Sequence, residues 1–116
     1  PSVEIIIDLH RDAAAYSGGT GKTFSTEGKT GAQFSLVVGI GNGNASQLMS
    51  FAQEVMDTAE ALYPGFPDRI IEKDYKYNQY VGDRCLLLEM GNNENDIEEV
   101  KVSARCFARV LEELLE

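Results

Sequence analysis

The sequence predicts an α/β fold, a single three-layer domain with a mixed, mostly parallel sheet flanked by helices. Three observations carry that expectation. Two short and nearly unbroken apolar runs, Val3 to Leu9 and Cys85 to Leu88, have the character of strands covered on both faces. Two longer stretches repeat apolar residues every three or four positions, as helices with one buried side do. The 116 residues suffice for one core and are too few for two ordinary domains, so the elements must share that core in layers.

Val3 to Leu9 reads as a central strand, with Asp8 to Asp12 at its polar carboxyl end. Tyr16 to Gly21 is a glycine-rich connection. Thr23 to Thr26, the turn at Gly28 to Gly31 and the run Gln33 to Gly39 read as a hairpin whose second arm, Phe34 to Val38, enters the sheet. Asn44 is placed to cap a helix whose stripe is Leu48, Phe51, Ala52, Val55, Met56, Ala59 and Leu62. Pro64-Gly65-Phe66-Pro67 stops it. Asp68 to Gly82 has weak periodicity and reads as a loop with a short edge strand around Tyr77 to Val81. Cys85 to Leu88 is the second buried strand and ends in Glu89-Met90-Gly91, followed by the polar turn Asn92, Asn93, Asn95. Asp96 and Glu99 have the spacing of a capping box. The last helix then shows Ile97, Val100, Ala104, Phe107, Ala108, Leu111, Leu114 and Leu115 on its apolar side. A chain that opens almost at once into a strand and closes within a charged helix suits a domain cut from a longer protein.

Nineteen acidic against ten basic residues give a formal charge of −9. That field has the wrong sign for unspecific attraction to nucleic acid or an anionic membrane face. No apolar run approaches the ~20 residues of a membrane-spanning helix, so the segment itself is expected to be soluble. Cys85 and Cys106 match no metal knuckle or redox CxxC and read as buried thiols, with a mutual disulfide as the other reading.

The chemistry gathers at strand ends, where open α/β sheets place their sites. His10 is the chain's single histidine. In an extended segment Asp8, His10 and Asp12 share one side, so a carboxylate could orient the imidazole for metal binding or acid-base work; the plainer reading is a structural histidine. Arg11 could pair with Asp8 or Asp12, or hold a substrate carboxylate through its planar fork. Glu89 follows three leucines as Asp8 and His10 follow three isoleucines, so both segments should end on one edge of a parallel sheet. A carboxylate there can take a proton from an activated water and return it to a leaving amine; it could also simply bond the amides of the Gly91-Asn92-Asn93 turn. Asn78 and Gln79, between Tyr77 and Tyr80, could bind peptide or sugar, or satisfy loop backbone. Gly39 to Asn44 lacks the ending of a phosphate-binding loop and reads as a strand-to-helix turn on the same edge.

Taken together, Asp8-Leu9-His10-Arg11-Asp12-Ala13, Tyr77-Asn78-Gln79 and Leu87-Leu88-Glu89-Met90-Gly91-Asn92-Asn93, followed by the helix from Ile97 to Leu115, resemble the catalytic domain of the stage II sporulation protein P family, a branch of the zinc-dependent N-acetylmuramoyl-L-alanine amidases. The resemblance covers nearly the whole chain. It implies a wall-cleaving hydrolase outside the cytoplasmic membrane, active during engulfment of the forespore and membrane-associated as a full-length protein, with peptide cross-links as a further substrate of some relatives. It implies His10 as the last zinc-binding histidine, Glu89 as the essential glutamate, and Arg11, Asn78 and Gln79 as residues that line or brace the cleft. A lytic transglycosylase and a membrane protein holding both enzymes are the implied partners. The chain departs from the pattern in lacking the upstream histidine segment and acidic ligand, in Lys76 and Tyr80 where arginine and histidine are usual, and more mildly at Met90 and Asp96. The alternative is a noncatalytic peptidoglycan-binding or assembly module with an amidase-like fold.

Overall fold

A computed structural model describes residues 5–12, 22–74, 83–92 and 94–115, with the backbone alone for Arg11 and Asp12. The isoleucine-rich start forms strand β1 (Ile6–Asp12). Glu27 and Gly28 both take positive φ, 51° and 75°. Two left-handed residues in succession give a turn whose twist matches that of the strands it joins, so β2 (Thr23–Thr26) and β3 (Lys29–Ala32) close into a two-stranded antiparallel sheet of their own. The expected second arm of the hairpin is instead a separate strand, β4 (Phe34–Gly39), which does enter the main sheet and is buried along its whole length.

Helix α1 (Ala45–Leu62) buries Leu48, Phe51, Ala52, Val55, Met56 and Ala59, and Leu62 packs partly against the same core, as its periodicity predicts. Asn44 stands at the N-cap, but its side chain makes no capping bond; its amide donates to Asp83 Oδ1 at 3.0 Å and ties the helix start to the approach to the last strand. After Pro64-Gly65 comes β5 (Pro67–Lys73), where the sequence reads as a loop. Asp68, Arg69, Glu72 and Lys73 disguise it, because an exposed edge strand needs charge rather than alternation. The edge strand expected around Tyr77 to Val81 lies outside the described residues. Strand β6 (Cys85–Asn92) and helix α2 (Ile97–Leu115) complete the order.

The main sheet has the order β1-β6-β4-β5. Its β1–β6 and β4–β5 pairs are parallel and its β4–β6 pair is antiparallel, so the sheet is mixed, mostly parallel and flanked by helices within one α/β domain. Phe34, Leu36 and Val38 of β4 and Leu86, Leu88 and Met90 of β6 share a core with the buried sides of α1 and α2. Phe24, Phe34, Phe66 and Phe107 meet there with ring centroids 4.5 to 5.1 Å apart, which fastens the small hairpin to the main sheet and α2. On the opposite face Val37 and Leu87 are also buried. Strand β1 departs from the sequence reading: among the described residues it lies at the edge of the sheet, with Ile6 and Ile7 each 38% exposed and Leu9 63% exposed. Unbroken hydrophobicity reports that both faces of a strand are apolar, and carries no information about how many strands lie beyond it.

The apolar face of α2 is rotated from expectation. Val102, Ser103, Cys106, Phe107 and Val110 are its buried residues, whereas Ile97, Ala104, Ala108 and Leu115 are exposed. The polar Ser103 and small Cys106 are on its buried side, and a stripe traced through large aliphatic residues misses them. At its start, Asp96 N–H donates to Glu99 Oε1 at 3.1 Å, the reach-back half of the predicted capping box. Cys85 and Cys106 are buried thiols that are not joined. Burial pushes the Cys106 thiol above its ordinary pKa, the opposite of what a nucleophile needs.

Ser103 is fully buried, and its hydroxyl has no hydrogen-bond partner among the described residues. Ser103→Ala should therefore stabilise the domain by about 1–2 kcal/mol, from relief of an unpaired polar group and a better helix former. A higher urea midpoint at unchanged slope is the expected reading; a midpoint at or below wild type would show that the hydroxyl is satisfied.

Candidate active site at the ends of β1 and β6

Parallel pairing sets Asp8 opposite Leu87 and His10 opposite Glu89, so the two strand ends singled out in the sequence are neighbours in register. Since Leu86, Leu88 and Met90 point into the helix-covered core, Glu89 projects from the other face, together with Asp8 and His10. His10 Nε2 lies 3.1 Å from Asp8 Oδ1, with both side chains about half exposed. A carboxylate on one ring nitrogen fixes the tautomer and leaves Nδ1 as the lone-pair donor. Glu89 is half-buried, with Oε2 out of contact with solvent.

On its other side Glu89 faces Ser35 of β4 across the antiparallel pair. Ser35 Oγ donates to Asp68 Oδ2 at 3.4 Å, and the same carboxylate oxygen takes Lys22 Nζ at 3.3 Å. The result is a polar row across four strands: His10, Glu89, Ser35 and Asp68, ending at Lys22. Beside it is a cleft of about 30 Å³ bordered by Gln33, Ser35, Asp68, Glu89 and Asn92, room for water rather than for a ligand of any size. The pairing register slips at two places, between His10 and Asp12 and between Phe34 and Leu36, and both lie at this end of the sheet.

The strand carrying Glu89 is held at its exit by a closed turn. Gly91 has φ 70° and its N–H donates to Gln33 O at 2.9 Å. Asn92 N–H donates to Asn95 Oδ1 at 2.9 Å, Glu94 N–H donates to Asn92 Oδ1 at 2.8 Å, and both asparagines are buried. Asn95 also donates to Lys22 O and to Glu99 Oε1, which links the turn to the start of β2 and of α2.

The structure thus brings His10 and Glu89 together. Asn78 and Gln79 and the side chain of Arg11 lie outside the described residues. The Gly39 to Asn44 turn is not on this edge: β4 runs antiparallel to β6, so its carboxyl end lies at the far end of the sheet. Lys22, Ser35 and Asp68 were not singled out from sequence. Ser35 is the polar residue within Phe34 to Val38, which was a signal; Asp68 gave none, since the strand that carries it reads as a loop.

As a test of a metal's fit, the donor set offers one imidazole with carboxylates nearby, and the described residues contain no group of three or more His, Cys, Asp or Glu able to hold an ion. A catalytic zinc takes three protein ligands and a water. His10 has the chemistry of one such ligand, and the described residues do not complete the set.

A mixed α/β domain with a histidine and a glutamate side by side at parallel strand ends is the class these observations define. The family model of Stage II sporulation protein P (SpoIIP) matches residues 1–112, and the chain belongs to that family. It is similar to Stage II sporulation protein P of Bacillus subtilis (strain 168), with 32% identity over an alignment that covers 97% of this chain and 29% of the relative. The chain thus spans less than a third of that relative's length. No solved structure matches it. Among the described residues no helix is long and apolar enough to cross a membrane.

Proposed function

We propose that the chain is the C-terminal portion of a peptidoglycan amidase catalytic domain that hydrolyses the bond between N-acetylmuramic acid and L-alanine during engulfment of the forespore. The observation that carries this reading is the register pairing of exposed His10 with half-buried Glu89. Family membership supports the sporulation context. Glu89 takes a proton from the attacking water as its oxygen bonds to the amide carbon. The carbon–nitrogen bond then breaks and Glu89 returns the proton to the departing L-alanine nitrogen, leaving a carboxylate on the muramic acid and a free amine on the peptide. His10, oriented by Asp8, would be one ligand for zinc. When bound, zinc supplies Lewis acidity toward the carbonyl and a more acidic water. Arg11, Asn78 and Gln79 are the proposed contacts to the glycan-peptide strand. The full-length protein acts outside the cytoplasmic membrane, in an assembly with a lytic transglycosylase and a membrane anchor protein.

The shortfall of metal donors among the described residues favours one second reading, a noncatalytic wall-binding or assembly module. Metal analysis of the full-length protein, coupled to release of peptides bearing a new L-alanine amino terminus from purified peptidoglycan, separates the two. Zinc near one per chain together with cleavage is the expected result. Wall binding without metal and without cleavage would establish the module instead.

A further inference from the structure

We infer that Ser35 and Asp68 are positioning residues for Glu89, a role that rests on the proton-transfer reading of Glu89 given above. In β4 and β5, Phe34 pairs with Pro67 and Leu36 with Ile70, so the single residue Ser35 is opposed by two, Asp68 and Arg69. This is the count of a β-bulge, uncommon in parallel pairs, and a bulge re-aims the side chain it carries. With Pro67 opposite core-facing Phe34, Asp68 takes the face of Ser35 and Glu89, and the extra residue turns Ile70 back toward the core beside Leu36.

The hydrogen bond has a direction. Ser35 has one proton and donates it to Asp68 Oδ2; Lys22 Nζ holds that same carboxylate oxygen. That donation commits the proton of the hydroxyl to Asp68 and leaves its oxygen as an acceptor, with Glu89 beside it across the antiparallel pair. A hydroxyl so committed is a fixed wall for the glutamate: it limits the carboxyl's rotamers and can accept from it once the carboxyl holds a proton. Ser35 is itself 9% exposed, too buried for the row to be surface decoration. The second register slip, beside His10, makes the other flank of Glu89. Two irregularities bracketing one glutamate within an otherwise regular sheet are what positioning it requires.

The test uses the full-length protein with purified peptidoglycan and reads kcat and KM separately, alongside thermal unfolding. Ser35→Ala should lower kcat roughly tenfold, in the range seen when a group supporting a catalytic residue is removed, with KM within about twofold. Ser35→Thr, which keeps the hydroxyl in a residue suited to a strand, should recover most of that loss. Asp68→Asn keeps an acceptor for Ser35 and loses the charge, so its loss should be smaller than that of Ser35→Ala, and it serves as the second variant if Ser35→Ala does not fold. Placed on Glu89→Gln, Ser35→Ala should add no further loss, because the group it positions is already inert. Wild-type kcat in both Ser35→Ala and Asp68→Asn, or an equal fold-loss from Ser35→Ala with and without Glu89→Gln, overturns the inference while Glu89→Gln remains strongly slowed. A fully active Glu89→Gln overturns the underlying reading as well, and is recognised by that variant alone.

Discussion

Glu89→Gln in the full-length protein is expected to slow release of L-alanine-terminated peptides from peptidoglycan by roughly 10²–10⁴-fold, the range that general acid-base groups contribute. Glutamine has the same length and branching, so the packing of β6 between β1 and β4 is kept, and Phe34, Leu88 and Met90 on the core side do not sense the change. What disappears is the ability to accept a proton from water and hand it to the amine. Unfolding midpoints within a few degrees of wild type would confirm that the loss is chemical. Hydrolysis at the wild-type rate would remove Glu89 from the mechanism.

The second large effect lies two residues further on. Gly91→Ala should destabilise the domain by about 2–5 kcal/mol. A left-handed backbone costs a residue with a Cβ about 1–2 kcal/mol, and Gly91 holds φ at 70°. The added carbon would also stand 2.8 Å from Asn95 Oδ1 and 3.0 Å from the Ala32 Cβ. Neither can retreat freely: Asn95 Oδ1 accepts from Asn92 N–H in a buried turn, and Ala32 is fully buried. Loss of that bond adds about 1–3 kcal/mol. The measurement is the shift of this domain's transition in urea; a change below ~0.5 kcal/mol, the usual range for an inconsequential surface change, would mean that the turn relaxes at no cost.

The sequence made the two helices, the buried strand β6 and the nearness of His10 to Glu89 legible for one reason. Each depends on a periodicity or a repeated strand-end pattern that is local to a few residues. What stayed hidden depends on partners distant in sequence. Strand β1 reads as central because its isoleucines are apolar on both faces, yet it is paired on one side among the described residues. Strand β5 reads as loop because it is an edge whose charges face water. Asp68 joined the candidate site through its pairing with β4 beside a bulge, and a bulge is a disagreement between two strands that neither strand's residues announce. The antiparallel setting of β4 likewise moved the Gly39 to Asn44 turn to the far end of the sheet, since strand direction is decided by the connections around it.

The pairing of β1 with β6 has a kinetic consequence. Its two strands are far apart in sequence, and closing so long a loop costs about 2.5 kcal/mol of chain entropy beyond that of a contact a few residues apart. Contacts of that kind form late in folding, and an edge strand with exposed side chains is also among the first to detach in local opening. His10 and Glu89 therefore come into register only once the interior is already assembled, and they separate before it melts. Amide hydrogens of Ile7 and Leu9 should exchange with solvent well ahead of those of Leu36 and Leu88. A pair of groups placed on such a seam is not assembled in a partly folded chain.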